Sequence, residues 1–114
     1  MNRGDLVWYV GPGKADPRPG VIISVEDGAT GKWLRIIYGS TQEPPYGEPH
    51  VTIPVTSRFA PRYGLKSDTH FAQRNIHLVK VDVVREVKGR MIESIFVRLC
   101  EFIEALPPIV KPEK

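Results

Sequence analysis

Short apolar runs, separated by turn-forming residues, recur along the first ninety positions of the chain. Three of these runs are rich in β-branched and aromatic residues, as strands are: Leu6–Val10, Val21–Val25 and Trp33–Tyr38. The second run is almost continuously apolar, which predicts a strand buried on both faces. Asp27–Gly31 is typical of a turn, so the second and third strands are predicted to form a hairpin.

Weaker strand signals follow in the second half of the chain. His50–Val55 alternates polar and apolar residues, and Pro54 within it indicates an edge strand or a bulge. Thr69–Gln73 is predicted as a short strand. Leu78–Val84 alternates in part and is compatible with a single helical turn before a last strand at Val84–Arg90.

The hydrophobic period changes from strand-like to helical near the C-terminus. The apolar positions there recur at helical spacing and are Ile92, Ile95, Phe96, Leu99, Cys100, Ile103 and Leu106. This spacing predicts one amphipathic helix over 92–106, ended by Pro107 and Pro108, with a flexible tail at 107–114. Short strands followed by one helix predict a mainly β domain over 1–106, a strongly bent sheet closed into a small barrel with the helix covering it.

Composition narrows the class of protein without identifying it. The 114 residues fit one domain, and 41% hydrophobic with 25% charged residues exclude wholesale disorder. Cys100 is the single cysteine and there is no paired Cys/His spacing, so we expect a reducing cytoplasm and no zinc. Neither a signal-peptide core nor a membrane-crossing stretch is visible in the sequence.

Positive charge is concentrated in one part of the chain. The formal net charge is +3, and residues 58–90 hold eight Lys and Arg against three acidic residues. Such a segment is suited to contacts with phosphates, and a solvated surface that keeps the protein soluble is the alternative.

Two predicted strands carry polar groups at their ends. Arg18 lies between two prolines just before the second strand, and Ser40 and Thr41 follow the third strand. Arginine donates two hydrogen bonds to a phosphate and stays charged, while a hydroxyl can hold a phosphate oxygen. The three residues are therefore candidates for one phosphate site.

Four segments taken in order resemble a known family. They are Arg3–Trp8 (RGDLVW), Arg18–Ser24 (RPGVIIS), Arg62–Thr69 (RYGLKSDT) and Ile76–Val84. Their order and spacing resemble those of the MazF/PemK-like toxins of bacterial toxin–antitoxin pairs, and the similarity runs through most of the chain.

The resemblance implies a fold, an activity and partners. It implies an SH3-like β-barrel of about five to seven strands with a C-terminal helix. The family's type II toxins are sequence-specific endoribonucleases that cut single-stranded messenger RNA without metal or other cofactor. The 2′-hydroxyl attacks the adjacent phosphate and leaves a 2′,3′-cyclic phosphate and a 5′-hydroxyl. The implied partners are RNA, an acidic antitoxin and a second copy of the chain, with no membrane.

The resemblance also implies catalytic residues. Arg18, Ser40 and Thr41 are the catalytic candidates when strands are counted. Thr56 is the alternative, since residues 53–57 mimic the Pro-Ile-Thr-Ser string that ends the family's third strand. His50 is the candidate general base, because it begins a strand beside a variable loop and histidine titrates near neutral pH.

Cationic grooves with interleaved aromatic rings hold single-stranded RNA, so basic and aromatic loop residues are the predicted RNA contacts. They are Lys14, Arg35, Tyr46, Arg58, Phe59, Arg62, Tyr63 and Lys66. An anchoring role for Phe59 and a carboxylate partner for Arg35 are the alternatives.

Two other functions stay open: a non-catalytic barrel that binds RNA or a protein, and a toxin that acts on a protein target through its C-terminal helix.

Overall fold

A computed structural model describes residues 1–105 and shows a mainly β domain with a C-terminal helix, as predicted. The strands are β1 Asp5–Val10, β2 Pro17–Gly28, β3 Gly31–Ser40, β4 His50–Ile53, β5 Thr69–Lys80 and β6 Val84–Arg90. The helices are α1 Ala60–Tyr63 and α2 Glu93–Glu104, and a 3-10 turn at Val81–Val83 precedes β6. All strands pair antiparallel in one sheet of order β4-β5-β3-β2-β1-β6.

Most predicted elements are confirmed, and β5 is the main correction. The β2–β3 hairpin, the helical turn before β6 and the edge position of β4, which ends just before Pro54, all match the predictions. Thr69–Lys80 is one long strand, whereas the sequence predicted two separate segments. The pairs Ile37↔Ile76 and Gly39↔Phe71 leave four residues of β5 opposite Tyr38 alone. This bulge carries polar side chains that interrupt the apolar pattern without ending the strand.

The sheet buries apolar side chains on both of its faces. Val21 and Ile23 join the larger core, which α2 covers with Phe96 and Leu99. Ile22 points the other way, into a second cluster with members on β1, β3 and β5. The prediction that this segment is buried on both faces is therefore confirmed.

Helix α1 links the two edges of the sheet. It follows the edge strand β4 in the chain, yet the Tyr63 hydroxyl donates a 2.9 Å hydrogen bond to the carbonyl of Arg90, at the end of the opposite edge strand. The Trp8 indole N–H donates to the Tyr63 carbonyl at 2.8 Å. These contacts connect α1 to β1 and to the end of β6.

Helix α2 corresponds to the helix predicted over 92–106, with its described part ending at Glu104. The last residue of that prediction and the tail predicted at 107–114 lie outside the described residues. Among residues 1–105, no helix has both the length and the apolar character needed to cross a bilayer.

Candidate functional site

A cleft of about 840 Å³ lies at one end of the β2–β3 hairpin. Its lining includes Lys14, Arg18, Tyr38, Ser40, Thr41 and Lys66. Gly20 pairs with Tyr38, and continuing that antiparallel register places Arg18 opposite Ser40. The hairpin itself therefore brings the predicted cation and hydroxyls together. The volume lies within the range of about 300–1,000 Å³ typical of ligand sites.

The Arg18 guanidinium is held by an aromatic ring rather than by a carboxylate. Its Cζ lies 4.8 Å from the centroid of the Tyr38 ring, a cation–π distance. Within residues 1–105 no hydrogen bond or ion pair engages this guanidinium, and its buried Nε–H has no partner. Arg35, by contrast, pairs with Glu26 at 3.2 Å. The terminal amino groups of Arg18 thus remain available to an anion in the cleft.

The two hydroxyls lie where β3 ends. The Ser40 hydroxyl oxygen accepts a 3.1 Å hydrogen bond from the Gln42 amide and keeps its own proton to donate, while Thr41 is exposed. A Cβ at Gly39 would collide with the Thr69 methyl group and stand 3.0 Å from the ring of Phe71. Glycine at this position lets the end of β3 pass close to β5, which sets the path of the two hydroxyl residues.

Charge at the cleft is mixed with a positive excess. Lys14 and Lys66 line it together with Arg18, and Glu43 and Glu48 are the carboxylates in its lining. The lining thus has three cationic and two anionic side chains, and its small positive net charge attracts anions weakly. The attraction is strong only beside the Arg18 guanidinium, which has no carboxylate partner among the described residues.

Several predicted site residues lie outside the cleft, and the predicted RNA contact of one of them, Tyr63, is wrong for a physical reason. Tyr63 is fully buried, with its hydroxyl bonded inside the fold, so it presents no face to RNA. Arg35 is engaged by Glu26 on the β2–β3 hairpin, which is the alternative that the sequence left open. Phe59 is partly buried and packs against the larger core, as an anchoring residue does.

The remaining predicted residues are accessible but do not line the described cleft. His50 is exposed, and its Nδ1 lies 3.0 Å from the Glu48 carbonyl oxygen, outside the lining. Arg58 and Arg62 are exposed, with their guanidinium groups 5.0 and 5.9 Å from the rings of the residues that follow them. Tyr46 is fully exposed on the loop whose Pro45 and Glu48 line the cleft. The alternative hydroxyl, that of Thr56, is exposed and also outside the lining.

Sequence reasoning missed the aromatic support behind Arg18. The His77 imidazole stacks on the Tyr38 ring with centroids 4.6 Å apart, and its Nδ1 lies 2.7 Å from the Tyr9 hydroxyl oxygen. Burial lowers the pKa of His77, and the charges of Arg18 and Lys14 lower it further. Burial also raises the pKa of Tyr9, so its hydroxyl stays protonated. These contacts join three strands, and no local sequence signal marks them.

The sequence matches no protein-family model and no curated protein. Among residues 1–105, no group of three or more His, Cys, Asp or Glu side chains is arranged to hold a metal ion.

Proposed function

We propose that the protein is a MazF/PemK-like endoribonuclease, the toxin component of a type II toxin–antitoxin pair, that cuts single-stranded RNA without metal. The observation that supports this proposal is the meeting of an unpaired guanidinium, that of Arg18, with the hydroxyl residues Ser40 and Thr41 at one open cleft. Phosphate is the ligand that this donor set fits best, because arginine and hydroxyl groups both donate to its oxygens.

The proposed reaction uses the RNA, side chains of the protein and one water molecule. The 2′-hydroxyl oxygen attacks the phosphorus, the bond to the 5′-oxygen breaks, and a 2′,3′-cyclic phosphate and a 5′-hydroxyl result. Negative charge grows on the phosphate oxygens, where two hydrogen bonds from Arg18 stabilise it by several kcal/mol. The hydroxyl of Ser40 or Thr41 holds a phosphate oxygen or orients the 2′-hydroxyl.

Two protons move in this reaction. The 2′-hydroxyl loses one, and we assign its acceptance to Glu43 or Glu48, the carboxylates in the cleft lining. The departing 5′-oxygen takes one from water.

The rest of the surface suits the partners that the proposal requires. Lys14 and Lys66 contact neighbouring phosphates, and the exposed ring of Tyr46 stacks on a base. A chain of net charge +3 attracts an acidic antitoxin, which would occupy the same cleft, and a second copy of the chain completes the RNA groove.

The direct test is cleavage of mixed-sequence single-stranded RNA in EDTA by purified variants. Arg18→Ala is expected to lose about a hundredfold or more in rate, the usual effect of removing one charge-stabilising donor. Arg98→Ala, which removes an exposed arginine of α2 outside the cleft, is the matched control and keeps the wild-type rate. Cleavage by Arg18→Ala at the wild-type rate contradicts the proposal.

A non-catalytic RNA-binding barrel is the second candidate. No histidine is among the described residues that line the cleft, so the commonest general base at neutral pH is missing from it. This function predicts RNA binding that weakens with salt while the RNA stays intact, in wild type and Arg18→Ala alike.

A further inference from the structure

Behind the cleft, three rings from three different strands stand against one another. Tyr9 on β1 and Tyr38 on β3 both contact His77 on β5. The Tyr38 and His77 rings are stacked, 25° from parallel, whereas Tyr9 meets His77 edge-on at 82° with centroids 5.8 Å apart. Arg18 packs on the Tyr38 ring of the same cluster.

The cluster is rigid at its inner end and weakly held at its outer end. Tyr9 is fully buried, and the backbone of Gly20 approaches it so closely that an added Cβ would lie 2.8 Å from the ring. The 2.7 Å hydrogen bond between the Tyr9 hydroxyl and Nδ1 ties His77 to this closely packed ring. At the other end, Arg18 has no partner within residues 1–105 except the Tyr38 ring. The place of the guanidinium therefore depends on Tyr38, and that of Tyr38 on His77.

We propose that His77 is a positioning residue that, through Tyr38, holds the Arg18 guanidinium in the cleft, and that protonation of His77 releases it and switches the site off. The inference deepens the proposed function and rests on it for its link to RNA cleavage. His77 does not touch the substrate, since it is not among the lining residues of the cleft.

The charges around His77 give the direction of the switch. The groups that face it are the guanidinium of Arg18 from β2, the ammonium of Lys14 from the β1–β2 loop, the hydroxyl of Tyr9 and the ring of Tyr38. No carboxylate within residues 1–105 is paired with it. An imidazolium stacked on Tyr38 would repel the guanidinium that packs on the same ring, so the acidic form of the protein holds Arg18 less firmly.

The test that does not depend on activity is an NMR titration of the full chain between pH 4.5 and 8. We follow the Arg18 Nε–H resonance and the His77 ring resonances, with His50→Gln as the control for the exposed imidazole of His50. The expected result is that the Arg18 resonance moves with the same midpoint as His77, below the ordinary histidine value. An Arg18 resonance that ignores the His77 titration overturns the inference.

Two substitutions of His77 distinguish the effect of its stacked ring from the effect of its protonation. His77→Ala, which removes the stacked ring, is expected to reduce RNA cleavage in EDTA by about a hundredfold, the effect of misplacing a catalytic group by about 1 Å. His77→Phe keeps a ring against Tyr38 and is expected to restore most of the rate. It also abolishes the fall in rate at acidic pH. Equal rates for His77→Ala and wild type, or an unchanged acid limb in His77→Phe, contradict the inference.

Tyr9→Phe gives a second variant that removes a single oxygen. It is expected to move the His77 midpoint and the Arg18 midpoint together, and an Arg18 midpoint that stays while that of His77 moves contradicts the inference. If the wild type cuts no RNA at any pH, the proposed function fails, and the NMR coupling of Arg18 to His77 still decides the positioning role.

Discussion

Arg18 and Arg35 lie on the two strands of one hairpin but differ in what holds them. Arg35 is mostly buried beside Glu26, which neutralises it, as expected of a structural arginine. The Nε–H groups of both arginines are buried without a hydrogen-bond partner, but Arg18, which is half-buried, has no carboxylate beside it among the described residues. A buried donor without a partner costs about 1–3 kcal/mol, and such a cost calls for a compensating function. Under the proposed function, an RNA phosphate bound beside Arg18 would supply that compensation.

Gly20 has no side chain, and this leaves room for the Tyr9 ring. In Gly20→Ala the added methyl group would collide with Ile36 and press on the Tyr9 ring, so we expect a loss of about 1–3 kcal/mol in unfolding free energy. Urea unfolding measures the loss. Gly13→Asn is the control, because Gly13 has φ +71° in open space and asparagine tolerates that conformation. Equal stability of Gly20→Ala and wild type would show that Tyr9 is not fixed there.

His77 also predicts a pH dependence of stability. Its pKa is lower in the folded state than in the unfolded chain, so the unfolded state binds more protons between the two values. The free energy of unfolding should therefore fall as the pH drops from 7 through the ordinary histidine value to the lowered one. His77→Phe should flatten this part of the curve. If the curve of unfolding free energy against pH keeps its slope in His77→Phe, the pH dependence comes from other titrating groups.

The sequence predicts the residues of the site that lie on one hairpin, β2–β3. Arg18 and Ser40 meet because antiparallel register is local, and their distance along the chain is short. The contact between Tyr9 on β1 and His77 on β5 spans 68 positions of the chain, and no local pattern encodes it. Tyr63 shows the opposite error: it lies in a basic loop sequence, but the single turn of α1 carries it into the core.

At the scale of elements, β5 forms the wall that shapes the cleft. Its bulge contributes Ala72 and Asn75 to the lining. The bulge also holds the neighbouring loop, because the Gln73 amide donates to the Pro49 carbonyl at 2.9 Å and the Arg74 amide to the Glu48 carboxylate at 3.0 Å. The loop on this side of the cleft is thus tied to the sheet rather than free.

Helix α2 stabilises the sheet through a narrow apolar stripe, which the helical spacing predicted. Leu99 is fully buried in the larger core, so Leu99→Ala is expected to cost about 2–5 kcal/mol of unfolding free energy. Val97 is 45% exposed on the same helix, and Val97→Ala should change stability by less than about 0.5 kcal/mol. Thermal and urea unfolding of both variants measure the contrast, and similar losses would show that α2 does not pack as described.

The sequence predicted the strands correctly where their apolar runs are unbroken. It predicted a strand incorrectly where the pairing of the sheet is irregular. β2 and β3 pair over a nearly continuous ladder, so their pattern is clear. β5 crosses from one register to another within one strand, and its half-exposed polar residues there are typical of a turn in sequence. The pairing with β3 and β4 on either side keeps it extended.

At the scale of the whole molecule, RNA affinity should depend on salt through a few phosphate contacts. Lys14 and Lys66 line the cleft without an ion pair among the described residues. We expect Lys14→Gln and Lys66→Gln each to reduce the slope of log affinity against log salt by about 0.7, the value for one contact to a single strand. Lys32→Gln, whose lysine is paired with Asp27 away from the cleft, should leave the slope unchanged. Equal slopes for all three variants would place RNA elsewhere on the surface.

The chemical ends of the cut RNA test the central claim most directly. Wild-type protein is incubated with a mixed-sequence single-stranded RNA in EDTA, and the fragment ends are identified by mass spectrometry. The unpaired guanidinium and the hydroxyls of the cleft predict fragments with 2′,3′-cyclic phosphate and 5′-hydroxyl ends, absent when Arg18 is replaced by alanine. RNA that stays intact, or fragments with 3′-hydroxyl and 5′-phosphate ends, would contradict it.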